Sequence, residues 1–553
     1  MRDEKNDKIA LNSLSDTERR RFLQLSGTVA GASLFGWQFP ALAWGAAEDA
    51  WNRGDVSHII PTANHQRFLI KTSFQTLRAD PPVLLVNDRK IPGSKTDLAG
   101  RFWQFDAPGL RPDTQYTLRL NEAGGGAICD SWPLKTFPAP GTMPRRLRIL
   151  AYTWAGGMDG PKLKGKTAFV DMAARKRLLA RGMSYQPDLV IANGDHIYWD
   201  IKTSMNKPFA DFIRKNYWDS VGGAFDVSVP MLHPRNSDIY FNVCDYQITG
   251  LYGVALRSTP SFFLQDDHDM FENDEFDDKI ATLPPDTYGV IAAEQTQSLY
   301  YPEFLPDKNL PDWLEGSGKR GRAPGTNMLN GTIRYGDLLE ASLYDCRRNV
   351  DYKGRHAKVI SASAERWLLD RTRAEDTLHY FHAPSLPFAY SSGKLGDWYP
   401  DVLDPASGKL VMWEPKMGWQ KGWFAQHQRL IDALSQQQKR TPMVVQGDFH
   451  ASSAGKITRS GELKFKNPVE IIMTGTLGTG DWGYPSSIRA VESAHAQILQ
   501  MEETLKPTEK NGFTLIDIDE GKVTYSMYMW RPPQSVEEID SMAPALVYEV
   551  ARG

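Results

Sequence analysis

The sequence predicts an α/β core that follows a small all-β unit. Two observations carry this. From Trp44 to Pro140 short alternating segments are broken by Pro, Gly, Asn and Asp, whereas beyond Pro140 buried-type apolar runs alternate with helical patterns in a β-α-β rhythm. Acidic and histidine residues then follow several of those runs within a few positions, at the strand carboxyl ends where α/β sheets gather ligands. At 553 residues the chain exceeds what one hydrophobic core usually serves, so two or three units are expected. Its 41% hydrophobic and 24% charged residues are those of a soluble globular protein. A net charge of -3 is too weak a field to make nucleic acid or an anionic membrane the main partner, so function must be read from local sites. Cys129, Cys244 and Cys346 lie far apart without C-x-x-C spacing, so neither a zinc site nor a disulfide framework is indicated, and at most one bridge can form.

The N-terminus reads as an address. Glu18-Arg19-Arg20-Arg21-Phe22-Leu23-Gln24 precedes a mild apolar run from Leu25 to Phe39 and the small-residue pattern Ala41-Leu42-Ala43. That is a twin-arginine signal over residues 1–43. The run is too short to span a bilayer and carries Gly27, Gly31 and Gly36, so no transmembrane segment is expected in the mature chain. Export by the twin-arginine machinery implies a periplasmic or secreted protein that folds before it leaves.

The β unit occupies 44–140, with strands expected at Gln66–Thr72, Pro82–Val86 and Thr114–Leu120. Gly109-Leu110-Arg111-Pro112-Asp113-Thr114-Gln115-Tyr116-Thr117-Leu118 resembles the tyrosine-corner strand of fibronectin-type or immunoglobulin-like sandwiches. Phe137–Gly141 reads as a linker to a larger unit over 141–553. There, strands are expected at Leu147–Tyr152, Leu189–Ala192, Ser261–Leu264, Met443–Val445 and Ile471–Met473, helices at Ala168–Arg181, Ala364–Ala374 and Gln426–Gln437, and a hairpin from Phe513 to Met529 turning at Asp519-Glu520-Gly521.

Four clusters carry chemistry. In Asn193-Gly194-Asp195-His196-Ile197-Tyr198-Trp199-Asp200 the glycine permits a sharp turn that leaves Asp195 at the strand tip, where a carboxylate can bridge cations. Tyr198 is either a metal ligand or a core aromatic; as a ligand it favours ferric iron, because a phenol ionises at neutral pH only beside a strongly acidic cation. Gln265-Asp266-Asp267-His268-Asp269 packs three carboxylates and an imidazole into four positions that repel unless cations neutralise them, with Asn273, Asp274, Glu275, Asp277 and Asp278 close behind; the later acids fit a solvated loop equally well. Gln446-Gly447-Asp448-Phe449-His450-Ala451 follows another buried strand, and Asp448 and His450 point the same way if strand geometry persists. Leu343-Tyr344-Asp345-Cys346-Arg347-Arg348 is a basic strand end, where Arg347 has the fork to grip phosphate oxygens and Arg348 is equally well a structural ion pair.

Taken together, G-D-H-I-Y, D-D-H-D with Asn273, Y-D-C-R-R, G-D-F-H-A-S, the L-R-P-D-T-Q-Y-T strand and the closing N-G-F hairpin resemble the PhoD-like alkaline phosphatases, a branch of the calcineurin-like metallophosphatases. The resemblance implies a metallophosphatase-type β-sandwich core flanked by helices. It also implies Fe(3+) held partly by Asp195 and Tyr198, Ca(2+) or another divalent metal nearby, Asp267, Asp448 and His450 among the ligands, and His268 beside the substrate. Asp266 and Arg347 join His268 as expected catalytic residues, and Asn273 and His196 as additional ligand candidates. The chain departs from the family at the end of the first core strand, where a cysteine or Asp-x-His is usual and Ala151-Tyr152-Thr153-Trp154-Ala155-Gly156-Gly157 stands instead. The iron site is then weakened, rebuilt or lost, and His196 is a compensating candidate.

The expected activity is hydrolysis of phosphate esters, as monoesterase or diesterase, by a metal-activated hydroxide. Arg347 would hold non-bridging oxygens and His268 the leaving oxygen. The rival is a non-catalytic exported protein that keeps the fold and binds a metal or ligand. No stable nucleic-acid partner is expected.

Overall fold

The computed structural model describes residues 51–552 apart from 160–161, 164–165, 168, 200–222, 224, 227, 271–274, 277–278, 281–286, 319–320, 395, 405, 414–415, 481–482, 484–485, 487–490 and 492. The expected signal over 1–43, Asp200, and Asn273 with Asp274, Asp277 and Asp278 lie outside the described residues.

Two mixed sheets stack at the centre. One runs in the order Ser261–Leu264, Leu189–Asn193, Leu147–Tyr152, Asn511–Ile518, Lys522–Trp530, Leu546–Ala551. Its first three strands are parallel and the rest antiparallel. The other runs Asn330–Tyr335, Leu339–Tyr344, His379–Pro384, Met443–Gln446, Leu463–Thr474, Ser452–Ser460, Leu499–Thr508, with the second to fifth strands parallel. Side-chain alternation explains the layers. Ile149, Ala151, Ile191 and Leu264 from one sheet and Ala341, Leu343, Phe381, Val445 and Ile472 from the other share a buried core. Their neighbours Leu150, Tyr152, Val190 and Phe263 face outward into a second cluster that includes Leu178 and Leu179 of the helix Met172–Met183. Tyr344, Tyr380, Val444, Ile471 and Met473 do the same on the far side, against Trp367 and Leu368 of the helix Ala362–Ala374 and Leu430, Ile431 and Leu434 of the helix Lys421–Ser435. The result is a mixed α/β protein of helix, sheet, sheet, helix.

Ahead of this core, residues 56–135 form two antiparallel sheets. One comprises Val56–Ala63, Arg67–Phe74, Phe102–Pro108 and Ser94–Lys95, the other Arg89–Pro92, Val83–Val86, Gln115–Asn121 and Trp132–Lys135. The phenolic oxygen of Tyr116 accepts from the backbone N–H of Arg111 at 2.7 Å, the bond a tyrosine corner makes. All three cysteines are buried and free.

The expected strands other than Ile471–Met473 recur within two residues at each end, and the differences have local causes. The first core helix starts at Met172 rather than Ala168, because the Asp171 carboxylate accepts from Ala174 N at 2.8 Å and caps it there. Ile471–Met473 is the inner end of a longer strand, Leu463–Thr474, whose outer half alternates between exposed and half-buried positions. No helix among the described residues is long and apolar enough to cross a membrane.

Parallel strands point their carboxyl ends the same way, which is what positions the site. Tyr152, Asn193 and Leu264 end on one sheet, and Tyr344, Pro384, Gln446 and Thr474 on the other. The two edges are tied together. Thr153 N donates to Gly475 O at 2.8 Å, and Asn193 Nδ2 to Pro384 O at 2.9 Å.

Candidate metal centre

Several strand ends along this shared edge turn sharply. Gly194 has φ +83°, and a Cβ there would lie 2.8 Å from the Cβ of Asp266, so only glycine lets the two acidic loops approach this closely. Asp195, Asp448 and Trp154 also take left-handed φ values of 57°, 65° and 42°. The strand Met443–Gln446 therefore stops before Asp448, and strand geometry does not persist to His450. Asp448 and His450 reach the centre through a tight turn in which Phe449 N bonds Gly447 O and Ala451 N bonds Phe449 O.

The three acidic loops converge. Among the described residues, two groups offer ligand atoms within 4.8 Å of one another: Asp195, Asp267 and His268, and Asp266, Asp267 and Asp448. Tyr198 donates its hydroxyl to Asp195 Oδ2 at 2.7 Å and lies 3.4 Å from His450 Nε2. His450 Nε2 is 3.8 Å from Asp195 Oδ2. The His268 ring lies against the Tyr198 ring, centroids 4.0 Å apart. Arg347 enters from the opposite sheet, its Nε on Asp266 Oδ1 and its Nη2 3.2 Å from Asp266 Oδ2, 3.7 Å from Asp267 and 3.4 Å from Asp448. Arg348 turns aside to Gln265 Oε1 and Asp345.

One expected ligand candidate takes other surroundings. His196 turns its Nε2 to Leu264 O at 3.0 Å and packs its ring on Phe263 and Tyr301. The departure at the first strand is also explained residue by residue. Tyr152 faces the outer core, its hydroxyl 3.2 Å from that of Tyr252. Thr153 donates its hydroxyl to Asn193 O at 2.5 Å and accepts from Asp448 N at 3.1 Å, knotting three strand ends. Trp154 lays its indole on the His450 imidazole, centroids 3.3 Å apart, and against Tyr198 and Phe169.

Gln247 and Lys394 were not legible in the sequence, and Asp269 was legible only as one of three clustered carboxylates. Asp269 is the last acid of its motif, yet its carboxylate accepts from the backbone N–H groups of Asp195, His196, Ile197 and Asp266 and so ties two acidic loops together. Gln247 spans Tyr198 N, Tyr198 O and Gly157 N. Lys394 arrives after the strand His379–Pro384 with its Nζ 3.9 Å from Asp267 Oδ2.

Burial sets the electrostatics. It pushes the Asp195 and Asp266 carboxyls well above the usual carboxylate range, a shift that His268 opposes at Asp195 and Arg347 at Asp266. Asp448 is raised by the same cause, against Lys394 and Arg347, and the His450 imidazole is driven well down. Asp195 Oδ1 is buried without a hydrogen-bond partner. Buried carboxylates in this number are stable as anions only beside cations, so the donor set fits bound metal.

Comparisons with known proteins bear on the family and the fold. Residues 164–527 match the model of a family described as PhoD-like phosphatase. A solved structure of PhoD superposes with a TM-score of 0.60 at 15% identity, covering 91% of each chain. A purple acid phosphatase, PPD1 from seeds of yellow lupin (Lupinus luteus), superposes with a TM-score of 0.52 at 11% identity, over 90% of this chain and 75% of that one. No curated protein sequence matches the chain.

Proposed function

The chain belongs to the PhoD-like phosphatase family, and from that premise we propose that it hydrolyses phosphate esters at a cation-loaded cluster of Asp195, Tyr198, Asp267, Asp448 and His450. One observation carries the reading: Asp267 belongs to both ligand groups, with Asp195 and His268 on one side and Asp266 and Asp448 on the other, so it can bridge two cations. Oxygen donors with an imidazole and a phenol suit Fe(3+) beside Tyr198, with Ca(2+) or another divalent ion at the carboxylates. Bound there, cations supply Lewis acidity and make water a nucleophile at neutral pH. Arg347 steadies Asp266, Asp267 and Asp448 and offers its charge to non-bridging phosphate oxygens. His268, packed against Tyr198, stabilises or protonates the leaving oxygen. Against the non-catalytic rival stands the convergence of the acidic loops, among which Trp154 holds His450 although a first-strand ligand is missing.

The same reading takes 44–140 as an immunoglobulin-like or fibronectin-like unit, supported by the Tyr116 corner, and 141–553 as the catalytic unit. It takes 1–43 as the signal for twin-arginine export to the periplasm or beyond, supported by Arg19-Arg20 and the apolar run that follows. Asp195→Ala and Asp267→Ala are expected to abolish hydrolysis of nitrophenyl phosphate, and elemental analysis to find two or more cations in the active protein. Near-normal rates in either variant, or full activity after exhaustive chelation, would refute the assignment.

A further inference from the structure

We propose that the carboxylate of Asp269 fills an anion-binding nest in the Gly194–Tyr198 loop and thereby holds Asp195 and Asp267 at bridging distance before any cation binds. Asp269 is then a positioning residue. The inference rests on the reading of the cluster as a cation centre and says how that centre is built.

Five successive backbone N–H groups follow the strand Leu189–Asn193, and each meets an acceptor. Gly194 N donates to Leu264 O at 2.6 Å, Asp195 N to Asp269 Oδ2 at 3.0 Å, His196 N and Ile197 N to Asp269 Oδ1 at 2.9 and 3.1 Å, and Tyr198 N to Gln247 Oε1 at 2.8 Å. Successive N–H groups that converge in a turn make a concavity for anions, the device that elsewhere takes phosphate. Here left-handed φ values at Gly194 and Asp195 set the turn, and the anion is the protein's own. Asp269 Oδ2 also accepts from Asp266 N at 2.9 Å, so one buried carboxylate grips its own loop and the opposite one. Each of its oxygens takes two N–H donors. An amide nitrogen in place of either oxygen would turn hydrogens of its own on those donors, so the geometry calls for a carboxylate.

The consequence is a preformed site. Asp195, Asp266, Asp267 and Asp448 are buried together, and like charges this close drive their loops apart unless something opposes them. Arg347 gathers Asp266, Asp267 and Asp448. Asp195 comes from the other loop, and the Asp269 carboxylate joins that loop to the one carrying Asp267, so that ligand oxygens of Asp195 and Asp267 lie within 4.8 Å. Burial lifts the Asp269 carboxyl above the usual range, against the charge of His196 and the N–H bonds it accepts. Donors held in place in advance leave less ordering for a cation to impose, which is what makes a site tight.

The test has two arms. The first compares wild type as purified, its cations counted by elemental analysis, with the same protein stripped by a chelator. Amide exchange over the peptide from Asn193 to Tyr198, read by mass spectrometry, is expected to differ by less than about tenfold between the two. A larger slowing in the loaded protein would mean that the cations order the loop, and would overturn the proposal. The second arm uses Asp269→Ala and Asp269→Asn. Asp269→Ala should bind Ca(2+) about tenfold or more weakly, the worth of one charge-assisted hydrogen bond or more. Formate, which has the size of the group removed, should restore part of that affinity, and chloride at the same ionic strength should not. Asp269→Asn keeps the shape but sets an NH2 against N–H donors, so it should lose as much and ignore formate. Wild-type affinity in either variant, or a loss in Asp269→Ala that formate leaves untouched, would overturn the proposal; should the variants fail to fold, the first arm decides. A wild type that holds no cation would defeat the metal reading, while loss of protection at these amides in Asp269→Ala would still decide on Asp269.

Discussion

Trp154 shows what a single residue does where an expected ligand is missing. A bulky aromatic in the left-handed region is rare and costs about 1–3 kcal/mol, so the surrounding contacts must over-determine it. They do: the indole is buried between His450, Tyr198 and Phe169, and Trp154 N bonds Gly194 O at 3.1 Å. Trp154 is therefore a positioning residue that fixes the His450 ring without touching a cation itself. Trp154→Ala should weaken cation binding about two- to tenfold, the range an aromatic pair is worth, and Trp154→Phe should restore most of it. Competition with a coloured chelator measures both, and equal affinities in all three proteins would remove Trp154 from the site. At this scale the residues legible in the sequence are those that follow apolar strands, because hydropathy marks the strand and the strand end marks the site. Lys394 follows His379-Tyr380-Phe381-His382-Ala383-Pro384, a buried strand with two histidines, so no apolar run drew attention to what comes after it. The stack of Trp154 on His450 joins residues nearly three hundred positions apart, which no local pattern encodes.

Among the elements, the hairpin that begins at Asp401 and packs against Gly393 carries its own titratable group. Asp401 is buried at its start; Oδ1 accepts from Gln497 N at 2.8 Å and Oδ2 has no hydrogen-bond partner. Burial, with Asp397 adding repulsion, lifts this carboxyl to about 7. An unfolded aspartate loses its proton near ~3.9, so between those values the folded state binds more protons and stability falls as pH rises through the window. Asp401→Asn removes that loss and keeps an acceptor for Gln497. The variant should therefore gain on the wild type between about pH 5 and about pH 8, by up to about 1.4 kcal/mol for each pH unit climbed below the folded-state value. Urea midpoints at the two pH values decide it, and a difference that does not vary with pH would sink the argument. The elements themselves were legible where both faces are buried and the run is also largely apolar, as in Leu147–Tyr152 and Ser261–Leu264. Leu499–Thr508 was not, because exposed and half-buried positions mix its composition with that of loops, nor was Ser452–Ser460, mostly buried but built of small and polar residues.

For the whole molecule, the question is whether the Pro-rich stretch near residue 140 divides the protein thermodynamically. Phe137 is buried against Phe262 and Tyr335, and one apolar cluster runs without a break from Val56 through both core sheets to Val550. Polar ties reinforce it. Glu303 accepts from Lys71 of the N-terminal sheet and from Arg322, with all three side chains buried. His58 bonds Ser73 and Tyr300 O. Removing one member of such a buried ionic set costs about 3–5 kcal/mol, because its partners are left charged and unpaired in a dry interior. The N-terminal sheets and the core should therefore unfold together. Calorimetry of the intact protein is expected to give one transition, and Glu303→Ala to move it down as a unit. Two resolved transitions, or a Glu303→Ala shift confined to one of them, would mean that the two parts are held by separate cores and merely touch.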